Sequence, residues 1–146
     1  MQKRKISRNL NKAILLGFFR EVMGKDKDVL FAYLYGSFLF GSAYHESDID
    51  VAVYLRSSDL AASIRKEVDL TTALVMKLHT DRVDLRILNV SPFLLQYKVI
   101  KEGRPVFVRD ERARVDFETT VMNRFFQLKP YLDEYRQMVL RRIMAC

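Results

Sequence analysis

The sequence predicts an α+β fold in which helices flank a small sheet and a further helical segment follows. Three short apolar runs, at residues 29–35, 48–55 and 82–89, have the length and composition of β-strands. Between them and before them, apolar residues recur at helical spacing. From Asp110 onward the spacing alternates between three and four residues, which is typical of a long helix with a coiled-coil-like seam.

The length and composition are those of one globular domain. The chain has 146 residues, of which 49% are hydrophobic, and its mean hydropathy is −0.09. We expect a core at residues 7–109 and a helical extension at residues 110–146. No apolar run approaches the roughly 20 residues that span a bilayer, and the lone cysteine, Cys146, allows no internal disulfide. Both features favour a cytoplasmic protein without a membrane partner.

The chain is basic, with a formal net charge of +7 and a pI near 9.6. Such a charge favours anionic partners, which include nucleotides, nucleic acids and acidic protein surfaces. The sequence contains no aromatic and basic ribonucleoprotein motif, no zinc-ligand cluster and no basic helix-turn-helix signature. We therefore do not expect direct binding of nucleic acid.

A helix and a buried strand begin the predicted core. Residues 7–24 have helical periodicity, with Ser7 as the N-cap and Gly24 near the end. The apolar face of this helix consists of Leu10, Ile14, Phe18 and Val22. The apolar run Val29–Tyr35 then predicts a buried strand.

A Gly-Ser pair, Gly36 and Ser37, follows this strand directly. Glycine at a strand end lets the backbone turn tightly and approach a ligand closely, and the serine can cap a short helical segment at residues 38–41. The free amide groups and the positive dipole end of such a segment attract phosphate groups. The pair therefore predicts a phosphate-binding turn.

Two aspartates, Asp48 and Asp50, open the second strand. Strand residues two apart point to the same face, so the two carboxylates should lie side by side. They repel each other unless a cation lies between them, and Mg²⁺ is typically held by one or two carboxylates together with phosphate oxygens and water. Together with the Gly-Ser pair, they predict a nucleoside triphosphate site.

The next helix and strand continue the alternation. Ser58 and Asp59 begin a helix that runs to His79. Its predicted apolar face consists of Leu60, Ile64, Val68, Thr71, Val75 and Leu78. In the strand at residues 82–89, Val83, Leu85 and Ile87 alternate with Arg82, Asp84 and Arg86. One of these two faces packs in the core, so the charged face lies either in solvent or in a functional cleft.

A short helix and an edge strand end the core. Ser91 at the cap and Pro92 in the first turn predict a helix start, and Gly103 predicts its end. The segment at residues 104–109 should be an edge strand, because Pro105 has no N–H to donate.

The final helix carries more apolar surface than a small sheet can cover. Its seam consists of Val121, Phe125, Leu128, Leu132, Tyr135, Val139 and Ile143. A second apolar face is formed by Phe117, Met122 and Phe126. Pro130 should kink or divide the helix. The apolar faces have three candidate partners, which are the core, a second protein and a second copy of the chain.

The motif residues resemble those of a known superfamily. Gly36-Ser37, ten further residues and then Asp48-x-Asp50 resemble the signature of the DNA polymerase beta-like nucleotidyltransferases. Within that superfamily, residues 29–112 resemble the minimal nucleotidyltransferases, typically the antitoxin half of toxin and antitoxin pairs. Their partner is a helical ribonuclease of the higher eukaryote and prokaryote nucleotide-binding (HEPN) family. The resemblance implies a nucleotidyltransferase fold with a small mixed β-sheet flanked by helices.

The resemblance also implies a site and a reaction. Asp84 matches the third metal-binding carboxylate of the superfamily, so Asp48, Asp50 and Asp84 would be the catalytic and metal-binding residues. Gly36 and Ser37 would seat the phosphates of ATP beside two Mg²⁺ ions. The expected reaction is AMP transfer from ATP to a hydroxyl group, a tyrosine of the cognate HEPN toxin.

The chain departs from the family pattern in one place. Minimal nucleotidyltransferases often carry an arginine or lysine before the glycine that closes the short segment after the motif serine, whereas this chain has Phe40 before Gly41. The missing charge must then come from elsewhere if the triphosphate is to be held. Arg86 is the best local candidate, ahead of Arg82.

Two other functions remain open from the sequence. The motif could serve nucleotide binding alone, in an antitoxin that masks its toxin through the C-terminal helices. The chain could also modify a small molecule, as the aminoglycoside nucleotidyltransferases do, although it is short for an additional substrate domain.

Overall fold

The computed structural model describes residues 12–36, 48–57 and 59–145. The described elements, in order, are α1 (Lys12–Lys25), β1 (Val29–Tyr35), β2 (Ile49–Leu55), α2 (Leu60–Leu78), β3 (Val83–Ile87), a 3-10 turn (Leu88–Val90), α3 (Phe93–Glu102), β4 (Arg104–Val108) and α4 (Glu111–Met144). The predicted α+β class with a long C-terminal helix is confirmed. The predictions on Ser7, Leu10, Ser37, Phe40 and Ser58 fall outside the described residues.

The described strands form one mixed sheet in the order β3-β2-β1-β4. β1 is antiparallel to both β2 and β4, whereas β2 and β3 are parallel. All seven residues of β1 are buried, because the strand lies between two others and helices cover both of its faces. β4 is an edge strand, as Pro105 predicted.

Each face of the sheet packs against a different pair of helices. On one face, α1 and α2 contribute buried residues such as Phe19 and Leu74 to the larger apolar cluster. On the other face, α3 and α4 pack on a smaller cluster that contains Tyr35, Ala52 and Val99. Since strand side chains alternate, Asp50 lies on the α3 and α4 face of β2, with Ala52.

The apolar face predicted for α2 is wrong for most of its length. Leu60, Ile64 and Val68 are 65%, 54% and 59% exposed. The buried residues of α2 are instead Ser63, Leu70, Leu74 and Leu78. Apolar residues cover about half of the helix circumference, so periodicity alone could not determine which part faces the sheet. The helix begins as predicted, because the Asp59 side chain accepts a hydrogen bond of 2.7 Å from the amide of Ala62.

The start of α3 also differs in detail from the prediction. Pro92, and not Ser91, occupies the N-cap position. The Ser91 hydroxyl instead donates a hydrogen bond of 2.7 Å to the carbonyl of Ile87. At the other end Gly103 is the C-cap, as predicted, and its amide donates to the carbonyl of Val99 at 2.7 Å.

The C-terminal helix α4 is continuous, so Pro130 does not divide it. Its first part packs on the sheet, where Val121 is only 3% exposed. Beyond residue 128 almost every side chain is exposed, including Tyr135 and Ile143 of the predicted seam, at 64% and 67%. Among the residues that the structure describes, therefore, only the first part of the seam is covered. No helix in the described residues has both the length and the apolar character needed to cross a membrane.

Candidate active site

Three neighbouring strands bring Tyr35, Asp50 and Asp84 into one row across the sheet. Tyr35 of β1 is the register partner of Asp50 of β2, and Asp50 is the register partner of Asp84 of β3. Register partners on adjacent strands point to the same face, with Cβ atoms about 5 Å apart. The sequence prediction that Asp84 accompanies Asp50 therefore agrees with the sheet topology.

Asp50 lies in an environment that disfavours its charge. Burial raises the pKa of the Asp50 carboxyl, and the negative charges of Asp84 and then Asp48 raise it further. The positive charges of Lys98 and Arg86 partly oppose this increase in the Asp50 pKa. Asp48 itself is exposed and directly precedes β2. A carboxylate destabilised by two neighbouring carboxylates favours a bound cation.

Tyr35 completes the row and was missed by the sequence analysis. Burial, followed by the charges of Asp50 and Asp84, raises the pKa of the Tyr35 phenol to about 12. Tyr35 therefore stays a neutral phenol beside the carboxylates at physiological pH. Its relation to Asp50 depends on the register between β1 and β2, so no local pattern in the sequence identifies it.

Gly36 is required by two features of its surroundings. Its φ is 85°, a left-handed conformation that side chains disfavour. In addition, a Cβ atom at this position would overlap the Oδ2 atom of Asp50. Gly36 therefore has the backbone conformation expected of a tight turn, whereas its predicted close approach to a ligand stays a prediction, and its predicted partner Ser37 lies outside the described residues.

Arg86 lies on the same strand face as Asp84 and forms an ion pair with it. The Arg86 Nε atom donates to Asp84 Oδ1 at 3.1 Å, and both side chains are about half exposed. Arg86 is also the register partner of the buried residue Ala52. Asp84 therefore lies beside Asp50 and is also paired with an arginine on a partly exposed face, and its role as a metal ligand stays a prediction.

The carboxylates are not arranged around a common point. Among residues 12–36, 48–57 and 59–145, no three acidic, histidine or cysteine side chains converge closely enough to hold a metal ion. The ion pair with Arg86 engages one oxygen of Asp84. The excess negative charge that raises the pKa of Asp50 nevertheless fits a cation.

Lys98 of α3 is a second cation that sequence reasoning missed. Its positive charge lowers the pKa of Asp50, against the effects of burial and of the other carboxylates. Lys98 is exposed, and its ammonium group forms no ion pair or hydrogen bond with another side chain in the described part of the chain. A lone lysine in a helix carries no sequence signal of its own, so only the packing of α3 on the sheet identifies it.

Two cavities lie away from the row of carboxylates. One, of about 330 Å³, lies between the end of β2, α3 and α4 and is lined by Tyr54, Phe93, Gln96, Phe117 and Arg124, among others. The other, of about 640 Å³, lies between α1 and α2, on the opposite face of the sheet. Neither cavity is lined by Tyr35, Asp50 or Asp84.

Comparison with known proteins gives a family and a fold. Residues 19–112, more than half of the chain, match the family described as polymerase beta nucleotidyltransferase. No curated protein sequence matches the chain.

Solved structures match over most of the chain. A crystal structure of a toxin-antitoxin with AMP-PNP matches with a TM-score of 0.66 and 22% identity, covering 88% of this chain and 98% of that one. A re-refined structure of the tri-AMPylated Shewanella oneidensis HEPN toxin in complex with MNT antitoxin matches with a TM-score of 0.60 and 20% identity, covering 92% and 99%. A toxin-antitoxin MntA-HepT crystal structure matches with a TM-score of 0.60 and 20% identity, covering 88% and 96%. At these identities the matches show a shared fold.

Proposed function

The chain belongs to the polymerase beta nucleotidyltransferase family, and we propose that it is an antitoxin that transfers AMP from ATP to a protein hydroxyl. The proposed acceptor is a tyrosine of a cognate HEPN-family ribonuclease, which the modification would neutralise. The observation that carries the proposal is the strand register that sets Asp50 beside Asp84, with Asp48 directly before the same strand. The shared fold with antitoxins from complexes, one of which holds an AMPylated toxin, adds support.

The carboxylates supply the proposed metal site. Asp48, Asp50 and Asp84 would hold two Mg²⁺ ions, which would lower the pKa of the attacking hydroxyl and neutralise the leaving pyrophosphate. The ion pair with Arg86 engages one carboxylate oxygen of Asp84, and a metal ion bound by both oxygens would displace Arg86. Arg86 would then be free to contact a phosphate group, which is the role predicted for it from the sequence.

The remaining residues would position the nucleotide. Gly36 and Ser37 would bind the β- and γ-phosphates through backbone amides and the serine hydroxyl. The acceptor oxygen would attack the α-phosphorus, and the bond from that phosphorus to the bridging oxygen of the β-phosphate would break. Pyrophosphate would leave, and the hydroxyl proton would pass to the carboxylate of Asp84. The Tyr35 phenol, neutral because its pKa is about 12, would not compete as a nucleophile.

A labelling experiment tests the transfer. ATP labelled at the α-phosphate or at the γ-phosphate is incubated with Mg²⁺, the purified chain and its genomic partner protein. We expect only the α label to enter the partner, and we expect the Asp48→Asn, Asp50→Asn double variant to transfer none. Label transfer that survives in the double variant, or transfer of the γ label, would contradict the proposed chemistry.

The exposed part of α4 favours a second candidate function. Residues 129–145 present apolar side chains that nothing in the described chain covers, so this segment could mask a toxin by binding alone. The double variant separates the two functions, because a masking protein would still neutralise its partner in a growth assay. An antitoxin that acts by transfer would lose neutralisation together with the α label.

A further inference from the structure

Helix α2 carries a row of apolar side chains that no described part of the chain covers. Their exposed fractions range from 54% to 71%, and they are Leu60, Ile64, Val68 and Met76. With Thr72 they recur every four residues and form one of the ridges along which helices pack on each other. We call this set the α2 ridge. The Thr72 hydroxyl already donates a hydrogen bond of 2.8 Å to the carbonyl of Val68, so burial of the ridge would leave no hydroxyl donor unpaired.

Two opposite charges lie beside the α2 ridge. Arg65 and Asp69 directly follow the ridge residues Ile64 and Val68, and both are exposed. Although they are four residues apart on one helix, neither side chain forms an ion pair with any residue that the structure describes. A cation that precedes an anion is also the less favourable order for a pair within one helix. Both charges are therefore available to a second molecule.

The order of these residues is self-complementary when a second α2 packs antiparallel to the first. A two-fold axis near position 67 brings together residues that lie equally far before and after that position. Arg65 of one copy then lies beside Asp69 of the other, and the symmetric contact repeats the ion pair. Ala61 faces Ala73, and their small side chains allow the short distance at which helices pack. Val68, one residue from the axis, packs near its own copy.

The α2 ridge lies on the opposite side of the sheet from the candidate site. Leu70 and Leu74, on the buried side of α2, belong to the apolar cluster shared with α1. Tyr35 and Asp50 lie on the face that α3 and α4 cover. A second copy bound to α2 therefore approaches from the side of the sheet away from the candidate site.

We propose that the chain forms a two-fold symmetric homodimer through α2, with the α2 ridge at its centre and two reciprocal ion pairs between Arg65 and Asp69. The occupant of this surface is a second copy, because one sequence supplies both members of each ion pair in a single antiparallel register. One helix packed on one helix belongs to the small interfaces, below about 1,200 Å² in total, that form weak complexes. We therefore expect a dissociation constant of roughly 10–100 µM. The inference goes beyond the proposed function and does not depend on it.

Sedimentation equilibrium of the full chain without nucleotide tests the dimer at concentrations from about 1 µM to about 1 mM. We expect the wild type to shift from the monomer mass of 17.2 kDa to twice that mass. Val68→Asp should raise the dissociation constant at least about tenfold, because the two new carboxylates would meet near the axis. Since Val68 is 59% exposed, the melting temperature of this variant at about 1 µM should stay within about 3 °C of the wild type.

Charge reversal tests the pairing itself. Arg65→Asp and Asp69→Arg each place like charges opposite one another in the dimer, so each variant alone should have a dissociation constant roughly fivefold to 50-fold higher. An equimolar mixture of the two variants should dimerise about as well as the wild type, because both ion pairs form again between unlike copies. No contact within one chain can produce this rescue.

A matched control lies on the other exposed apolar surface of the chain. Ile143, in α4, is 67% exposed, and Ile143→Asp should leave the dissociation constant within about twofold. The proposal would be overturned by a wild type that stays monomeric at about 1 mM, or by a mixture of the charge variants that does not dimerise. A dimer that Ile143→Asp dissociates and Val68→Asp does not would also overturn it. None of these outcomes depends on transfer of the α label, which tests the proposed function separately.

Discussion

The charge on Asp50 makes the ligand-free native state less stable. Burial and the neighbouring charges of Asp84 and Asp48 raise the pKa of its carboxyl, so the folded chain binds a proton there more tightly than the unfolded chain does. That contribution to stability is present below the ordinary aspartate pKa and is lost as the pH rises through the raised value. Charged groups that are held in an unfavourable electrostatic environment are typical of functional sites.

Replacing Asp50 should therefore stabilise the fold at neutral pH. In metal-free buffer we expect Asp50→Asn to melt at a higher temperature than the wild type at pH 7, and we expect the difference to shrink toward pH 4. Thermal unfolding followed by circular dichroism at both pH values measures this effect. Asp133→Asn, at an exposed position of α4, is the control and should show no such dependence. An Asp50→Asn variant that melts below the wild type at pH 7 would contradict the electrostatic interpretation.

Replacing glycine by alanine should change the free energy of unfolding in opposite directions at two positions. Gly36→Ala should lower the free energy of unfolding by about 1–3 kcal/mol, because φ is 85° and the new Cβ would overlap the Asp50 carboxylate. Gly17→Ala should raise it by about 0.5–1 kcal/mol, since Gly17 lies within α1 and nothing lies within 4 Å of its added Cβ. Urea unfolding of both variants provides the measurement, and equal effects would refute the argument from backbone conformation.

For single residues, the sequence predicted the candidate site where the motif residues are neighbours in a strand. Asp48 and Asp50 could be paired from their spacing, and Asp84 from the alternation of its strand together with the family resemblance. Tyr35 and Lys98 could not be assigned, because their relation to Asp50 depends on strand register and on the side from which α3 packs. Such contacts between distant segments leave no local pattern.

Among the elements, α4 divides into an anchored part and a free part. In the anchored part the buried Tyr33 hydroxyl donates to Glu118 at 2.5 Å, and Arg114 donates to the same carboxylate at 2.8 Å. The Phe117 ring also lies 5.6 Å from that of Phe31, centre to centre. Beyond residue 128 the helix has almost no buried side chain.

Removing the free part should leave the core folded. A chain that ends after Leu128 should melt within about 3 °C of the full chain, because the deleted side chains are almost all exposed. A chain that ends after Asp116 is the matched control, and it should lose cooperative unfolding because it lacks Phe117, Glu118 and Val121. Calorimetry of the three chains measures this. Similar unfolding of both shortened chains would show that the anchoring contacts are unimportant.

The elements were predictable to different degrees for physical reasons. The strand Val29–Tyr35 was predicted at its observed bounds, because a fully covered strand is continuously apolar. The buried face of α2 was predicted wrongly, since that helix carries apolar residues on two adjacent stripes and only the one with Leu70 and Leu74 meets the sheet. Pro130 was predicted to kink or divide the C-terminal helix, and the structure shows that it does not divide it.

For the whole molecule, the sheet order places Tyr35, Asp50 and Asp84 in a row across three strands, and the most buried strand, β1, lies at one end of that row. β1 pairs on both sides, whereas β3 and β4 are edges among the described strands. Local opening near β3 could therefore occur without disturbing β1.

Hydrogen exchange should reveal the same gradient. We expect the amides of β1 to exchange most slowly and those of residues 129–145 to be among the fastest, because the latter form an exposed helix with few tertiary contacts. Addition of AMP-PNP and Mg²⁺ should slow exchange at the start of β2 and in β3 but not in residues 129–145. Exchange followed by mass spectrometry measures both effects. Nucleotide protection confined to α1 and α2 would contradict the assignment of the site.

Because α4 is continuous, it also fixes the rotational orientation, relative to the sheet, of any molecule that binds its C-terminal end. Residues 129–144 extend about 24 Å at 1.5 Å per residue. Inserting one residue near position 128 would turn everything beyond it by about 100° relative to the sheet, whereas inserting seven would restore the direction to within about 20° and move it outward by about 10 Å. The free segment is therefore a rigid helical extension and not a flexible linker. The rotation of its residues about the helix axis, more than its length, determines which way a bound molecule faces.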